Sequence, residues 1–250
     1  MLDQNEIKNS VTRALFSLIN VPILGPALTE IFDFRGKLKQ KRLNQFTELL
    51  ENYFSNHTGI NLESFQTTEF SDLFESVLKR VVLTNSDEKM RMFKDVLINQ
   101  LQNPKQSINE SEIYLSLITE LTEIEIKILF EYRQFIKSFQ PEIKELNQLE
   151  HRQNILEGIA DKSPEGYNSE LLDIQTQVGQ KQKKLNELQN IYKHDHFGID
   201  KDQFLFYKQR LFSKGLLVDN GIGSIGGKPF NTMGITQFGV QFIDYIMASA

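Results

Sequence analysis

No cysteine occurs among the 250 residues. That absence excludes disulfides, thiolate metal sites and a cysteine nucleophile together, and it fits a reducing compartment such as the cytoplasm. An excess of positive charge is also missing, since 28 Lys and Arg face 33 Asp and Glu for a formal net charge of −5. Such a surface is no general nucleic-acid glove, so any nucleic-acid contact has to be local. The N-terminus opens with Asp3 and Glu6 instead of a basic run leading into an apolar core, and the expectation is a chain without a secretory signal. There is no long uninterrupted apolar run either. The richest stretch, Val11 to Phe34, carries Arg13, Asn20 and Glu30 and is broken by Pro22, Gly25 and Pro26, whereas a bilayer span needs about 20 largely apolar residues.

What is present is an ordinary globular composition, 40% hydrophobic and 24% charged, in a chain long enough for one large or two modest domains. Val11 to Phe34 reads as two short helices, residues 10–19 and 26–34, joined by the Val-Pro-Ile-Leu-Gly-Pro turn and packed into the core. The alternative is an interfacial hairpin that meets a partner or a membrane surface through Phe16, Leu18, Ile19, Ile23 and Leu24, helped by the basic cluster Arg35, Lys37, Lys39, Lys41 and Arg42. Apolar stripes at helical spacing follow: Leu43, Phe46, Leu50 and Phe54; then Phe70, Leu73, Phe74, Val77, Leu78 and Val81; then, after a Ser86-Asp87 cap, Met90, Phe93, Leu97 and Leu101. Residues 1–105 therefore predict an all-α bundle whose aromatics are core.

Residues 111–139 read as two helices broken near Leu121-Thr122, where Thr122 and Glu125 have the spacing of a capping box. Residues 141–193 are poor in apolar side chains. Ile143, Leu146 and Leu149, then Leu171, Ile174, Val178, Leu185, Leu188 and Tyr192, with Lys181 in one seam position, predict an antiparallel coiled-coil hairpin turning at Pro164 and Gly166. The last residues alternate differently: an amphipathic helix from Phe204, the strand Gly215-Leu-Leu-Val218, a glycine-rich turn, Ile235-Thr236-x-x-Gly239 and a closing helix with Phe238, Phe242, Ile243 and Ile246.

The Leu121-Thr-x-x-Glu125-Ile-x-Ile-Leu129 opening resembles the first helix of many bacterial winged-helix domains, and the C-terminal order resembles their recognition helix and wing. The resemblance implies a mainly α fold: an N-terminal helical bundle, then a winged-helix-like domain formed by 106–140 and 194–250, with the hairpin 141–193 inserted. Helices first and this ending last are also similar to bacterial abortive-infection proteins of the Abi-alpha type, which implies an interaction protein in phage defence.

Catalytic signatures fail on context. Gly221-x-Gly223-x-x-Gly226 has no βαβ unit to open, and Lys228 is followed by Pro229 where a phosphate loop needs Ser or Thr. His194-Asp195-His196 supplies two imidazoles on one side of an extended segment, but two ligands make no metal site, and a hinge with solvated histidines is preferred. No Gly-x-Ser-x-Gly elbow occurs. The expectation is a non-enzymatic protein without cofactor, metal or small-molecule substrate, in the cytoplasm or at the membrane periphery. Two binding readings remain. In one, the winged helix binds DNA with Lys201, Lys208, Arg210, Lys214 and Lys228 on phosphates. In the other, the chain recruits a protein partner or self-associates through the coiled coil.

Overall fold

The computed structural model describes residues 34–56, 67–103, 107–160, 168–188, 193–221, 229–231 and 233–247. Its elements in chain order are α1 (Phe34–Asn56), α2 (Thr68–Val81), α3 (Asp87–Gln102), α4 (Ile108–Glu120), α5 (Glu123–Ala160), α6 (Asn168–Leu188), a 3-10 turn (His194–Phe197), α7 (Lys201–Ser213), β1 (Leu217–Asp219), β2 (Met233–Ile235) and α8 (Gln237–Ile246). The chain is thus mainly helical. Among the described residues no helix is long and apolar enough to cross a membrane. Residues 11–33, with Phe16, Leu18, Ile19, Ile23 and Leu24, lie outside the described part.

Two compact units divide the chain: Met1–Glu123 with Asp244–Ala250, and Ile124–Ile243. In the first, helices start where side chains satisfy otherwise unpaired amides. Thr67 Oγ1 accepts from Phe70 N at 3.2 Å, and Ser86 Oγ accepts from Lys89 N at 3.1 Å. The expected stripes of α1, α2 and α3 are buried, and Tyr114, Leu115 and Ile118 of α4 join them. The predicted boundary at 105/106 is thereby displaced, because α4 packs with the bundle: Arg80 of α2 donates to Glu112 Oε2 at 3.2 Å, and Ser111 Oγ donates to Gln100 Oε1 at 2.8 Å. α3 ends at Gln102 while the unit continues to Glu123.

α3 is the central helix, buried continuously from Asp95 to Leu101. Its polar side chains there have partners, as burial requires. Lys94 Nζ lies 3.1 Å from Asp95 Oδ1, and Asn99 donates to the backbone carbonyl of Tyr245. The Tyr245 hydroxyl is 2.8 Å from Ser111 Oγ. Since the serine proton goes to Gln100, Tyr245 is the donor. Burial pushes the Tyr245 and Tyr114 phenols above the usual tyrosine range and keeps both neutral.

In the second unit α5 bends at Phe139 (φ −115°, ψ 15°), where Pro141 removes an amide donor and crowds the preceding turn. Beyond the bend α6 returns antiparallel to α5. Glu145 meets Lys181 at 2.7 Å, Glu150 accepts from Gln182 at 2.9 Å, Glu157 accepts from Gln175 at 3.3 Å, and Arg152 pairs with Glu170. Leu146 and Leu156 are buried with Ile174, Val178 and Leu185 between those polar rows. The lysine in the seam stretches sideways to its carboxylate.

Gly179 lies inside α6, and a Cβ there would meet nothing within 4 Å. Replacing it removes the backbone entropy penalty of glycine without a clash. Gly179→Ala is expected to stabilise by about 1 kcal/mol, read as a higher denaturant midpoint. An unchanged or lower midpoint would show that the helix is not continuous at this position.

Candidate functional site

The candidate site is the C-terminal helix and strand pair of the second unit. α7 begins at Asp200, whose Oδ1 accepts from Gln203 N at 2.8 Å. Phe204, Lys208 and Leu211, at i, i+4 and i+7, face inward and are buried. The helix stops at Gly215, which takes φ 70°, a left-handed conformation glycine adopts without a Cβ penalty. β1 and β2 then pair antiparallel, with Leu217 opposite Ile235, Val218 opposite Gly234 and Asp219 opposite Met233.

Thr236 and Gly239 explain the Ile-Thr-x-x-Gly signature. The Thr236 hydroxyl accepts from Gly239 N at 2.9 Å and donates to Gly215 O at 2.7 Å. It therefore starts α8 and ties that start to the end of α7. A Cβ on Gly239 would come 2.5 Å from Leu216 O, so only glycine lets the two segments approach so closely.

Lys208 departs from its expected place on the phosphate-facing surface. It is 6% exposed, its Nζ donates to the carbonyl of Phe230, and it sits 4.8 Å from the Phe204 ring centroid. Asp219, 5% exposed, accepts from Gly221 N at 2.8 Å and from Phe230 N at 2.7 Å. Phe230 is thus held at its amide and its carbonyl while its backbone adopts φ 61°, a strained region for a non-glycine residue. Its ring packs edge-on against Phe212 at 5.5 Å. Burial pulls the Lys208 ammonium below the usual lysine range, and the Asp219 carboxylate opposes that shift.

The other cations separate. Arg210 Nη1 lies 3.2 Å from Oε2 of the fully buried Glu125, and its guanidinium is 5.7 Å from the exposed Phe206 ring centroid. Lys201 is exposed in the first turn, Lys214 is half-buried at the helix end, and Lys228 lies outside the described residues. Of the four described, Lys201 is the most exposed. Exposed apolar side chains accompany it: Phe206 is 53% and Val218 42% exposed.

His194 and His196 occupy a 3-10 turn instead of the extended segment expected for them. His194 Nδ1 lies 3.0 Å from Ile199 O, and His196 Nε2 lies 3.8 Å from Glu131 Oε2. Among the described residues no group of three or more His, Asp or Glu side chains is spaced to hold a metal ion. No family model, curated protein or solved structure matches this chain.

Glu125 and Asp219 are the site residues that spacing alone misses, since both find their cationic neighbours through tertiary contacts. Burial of Lys208 did leave a trace: it lies four residues after Phe204 and three before Leu211, on the apolar stripe of its helix.

Proposed function

We propose that this chain is a non-enzymatic bacterial interaction protein, acting in the cytoplasm in abortive infection, whose C-terminal winged-helix module binds a protein partner. The carrying observation is that Lys208 and Arg210 are engaged inside the module while Phe206, beside Arg210, is exposed. An ammonium that holds a buried carbonyl is lost to phosphate unless the fold opens. An exposed aromatic with a guanidinium over its face is the chemistry of protein hot spots. The phage-defence setting rests on the resemblance to Abi-alpha proteins. In this reading the inserted coiled-coil hairpin is an arm that presents the module, since its apolar seam is filled by its own two helices.

DNA binding is the second reading, favoured by exposed Lys201 at the start of α7. Retention of duplex DNA across a salt series separates the two, with light scattering on the same sample. Retention is expected to be absent or shallow in salt, and Lys201→Glu to leave it unchanged. Steep salt dependence, at about 0.9 in logarithmic slope per phosphate contact, with loss of one contact in Lys201→Glu, overturns the protein-binding reading. Deleting residues 141–193 is expected to leave the measured number of subunits unchanged.

A further inference from the structure

We propose that the first turns of α1, together with the turn after α2, dock on the surface of an anionic lipid bilayer. Lys37, Lys39 and Lys41 meet the headgroup phosphates there, and Leu38 and Leu83 enter the boundary of the acyl chains. The inference concerns the first unit and stands apart from the reading of α7. It starts from a segregation of charge. Residues 35–42 read Arg-Gly-Lys-Leu-Lys-Gln-Lys-Arg and contain no acidic residue, in a chain whose formal net charge is −5. Lys37 and Lys41 are exposed and Lys39 is half-buried. Among the described residues no carboxylate pairs with any of the three.

Aliphatic side chains stand among these cations. Lys41 and Arg42 follow Leu38 by three and four residues, which places them beside it on the helix surface. Arg42 Nη1 donates to Val82 O at 2.8 Å, and this sets the turn carrying Leu83 against the same stretch of α1. Leu38 is 38% and Leu83 74% exposed. The two signs of charge part along the helix. Glu48 is the first carboxylate of α1, about 14 Å along the axis from Lys39, and Asp87 lines a groove together with Glu48. The Debye length is about 8 Å at physiological salt, so these carboxylates leave the basic end uncancelled.

That combination selects a bilayer over other polyanions. Nucleic-acid phosphates satisfy lysines equally well, but exposed leucines gain nothing from a phosphate backbone, and bases stack on aromatic side chains instead of aliphatic ones. At a bilayer the two contributions add. Each lysine near an anionic surface multiplies partitioning about fivefold, and apolar side chains that reach the acyl boundary supply the second signal that stable anchoring requires. The contact is with one leaflet and involves no spanning helix.

The test is co-sedimentation of the full-length protein with vesicles of phosphatidylcholine alone and of phosphatidylcholine mixed with phosphatidylserine. Two variants remove equal charge: Lys37→Gln with Lys41→Gln on α1, and Lys183→Gln with Lys184→Gln, both exposed on α6. The expected result is salt-sensitive binding to the mixed vesicles only, about 25-fold weaker in the α1 variant and little changed in the α6 variant. Leu83→Ser is expected to weaken binding several-fold while leaving its salt slope unchanged. Absence of binding to the mixed vesicles, equal binding to the neutral ones, equal loss in both charge variants, or full binding by Leu83→Ser overturns the proposal. So does an α1 variant that loses duplex DNA but keeps the vesicles, since its cations then serve a nucleic acid. Circular dichroism identifies a variant that has failed to fold, and the other change in this surface then decides.

Discussion

Lys208→Met lowers the stability of the second unit by about 2 kcal/mol and leaves any DNA retention at the wild-type level. Methionine keeps most of the aliphatic stem against Phe204 but removes the ammonium, so the Phe230 carbonyl loses its donor and the buried Asp219 carboxylate loses the nearest opposing charge. A hydrogen bond from a charged group contributes about 1.5–3 kcal/mol. The gain from no longer burying a charge offsets part of that loss, which is why the expected figure sits low in the range. Lys208→Glu is worse, since it sets a second carboxylate near Asp219, and both positions are buried. Arg210→Ala belongs with these, because it leaves the fully buried Glu125 without its guanidinium. Charge reversal at either position therefore reports on folding before it reports on phosphate contact. Denaturant unfolding and DNA retention on the same Lys208→Met sample check the prediction. Unchanged stability with lost retention would place the lysine on the nucleic acid instead.

Gly239→Ala is expected to cost about 2 kcal/mol, although alanine is the better helix former by about 1 kcal/mol. The new methyl would sit 2.5 Å from Leu216 O and 2.8 Å from Ile235 Cγ1. Neither neighbour yields cheaply. Leu216 O already accepts from Thr236 N at 3.1 Å, so moving it breaks the junction of α7, β1 and α8. Overpacking of this kind costs about 1–3 kcal/mol or more, which outweighs the propensity gain. The comparison with Gly179→Ala is the informative one, because the same substitution has opposite signs at two helical positions that differ in what surrounds the missing Cβ. Thermal unfolding of the two variants side by side tests it, and a neutral Gly239→Ala would mean that the close approach at Leu216 relaxes freely.

Periodicity made much of the fold legible. The stripes Leu43 to Phe54, Phe70 to Val81 and Met90 to Leu101 are buried as their spacing predicts, whereas of the seam expected over 141–193 Leu146, Ile174, Val178 and Leu185 are buried and Ile143, Leu149 and Leu171 are half-buried. The Ser86 cap is local chemistry within a few residues. Less of the site was legible. Lys208, Arg210 and Lys214 were grouped by charge and by their common helix, but charge says nothing about which of them meets a carboxylate from elsewhere in the chain. The histidine segment misled for a related reason: two imidazoles two residues apart share a side only if the backbone is extended, and Gly198 at φ 66° instead closes a 3-10 turn behind them.

The amino-acid sequence by itself determined the helical character, the buried stripes of α1, α2 and α3 and the cap at Ser86. Each depends on interactions within a few residues or on a repeat that any helix obeys. The tertiary structure alone decided that α4 belongs to the bundle, that α3 is buried continuously from Asp95 to Leu101, and that Lys208 and Arg210 are spent on Phe230 and Glu125. Those outcomes depend on where distant segments meet, and the energy of a buried charge is set by the groups that packing brings against it.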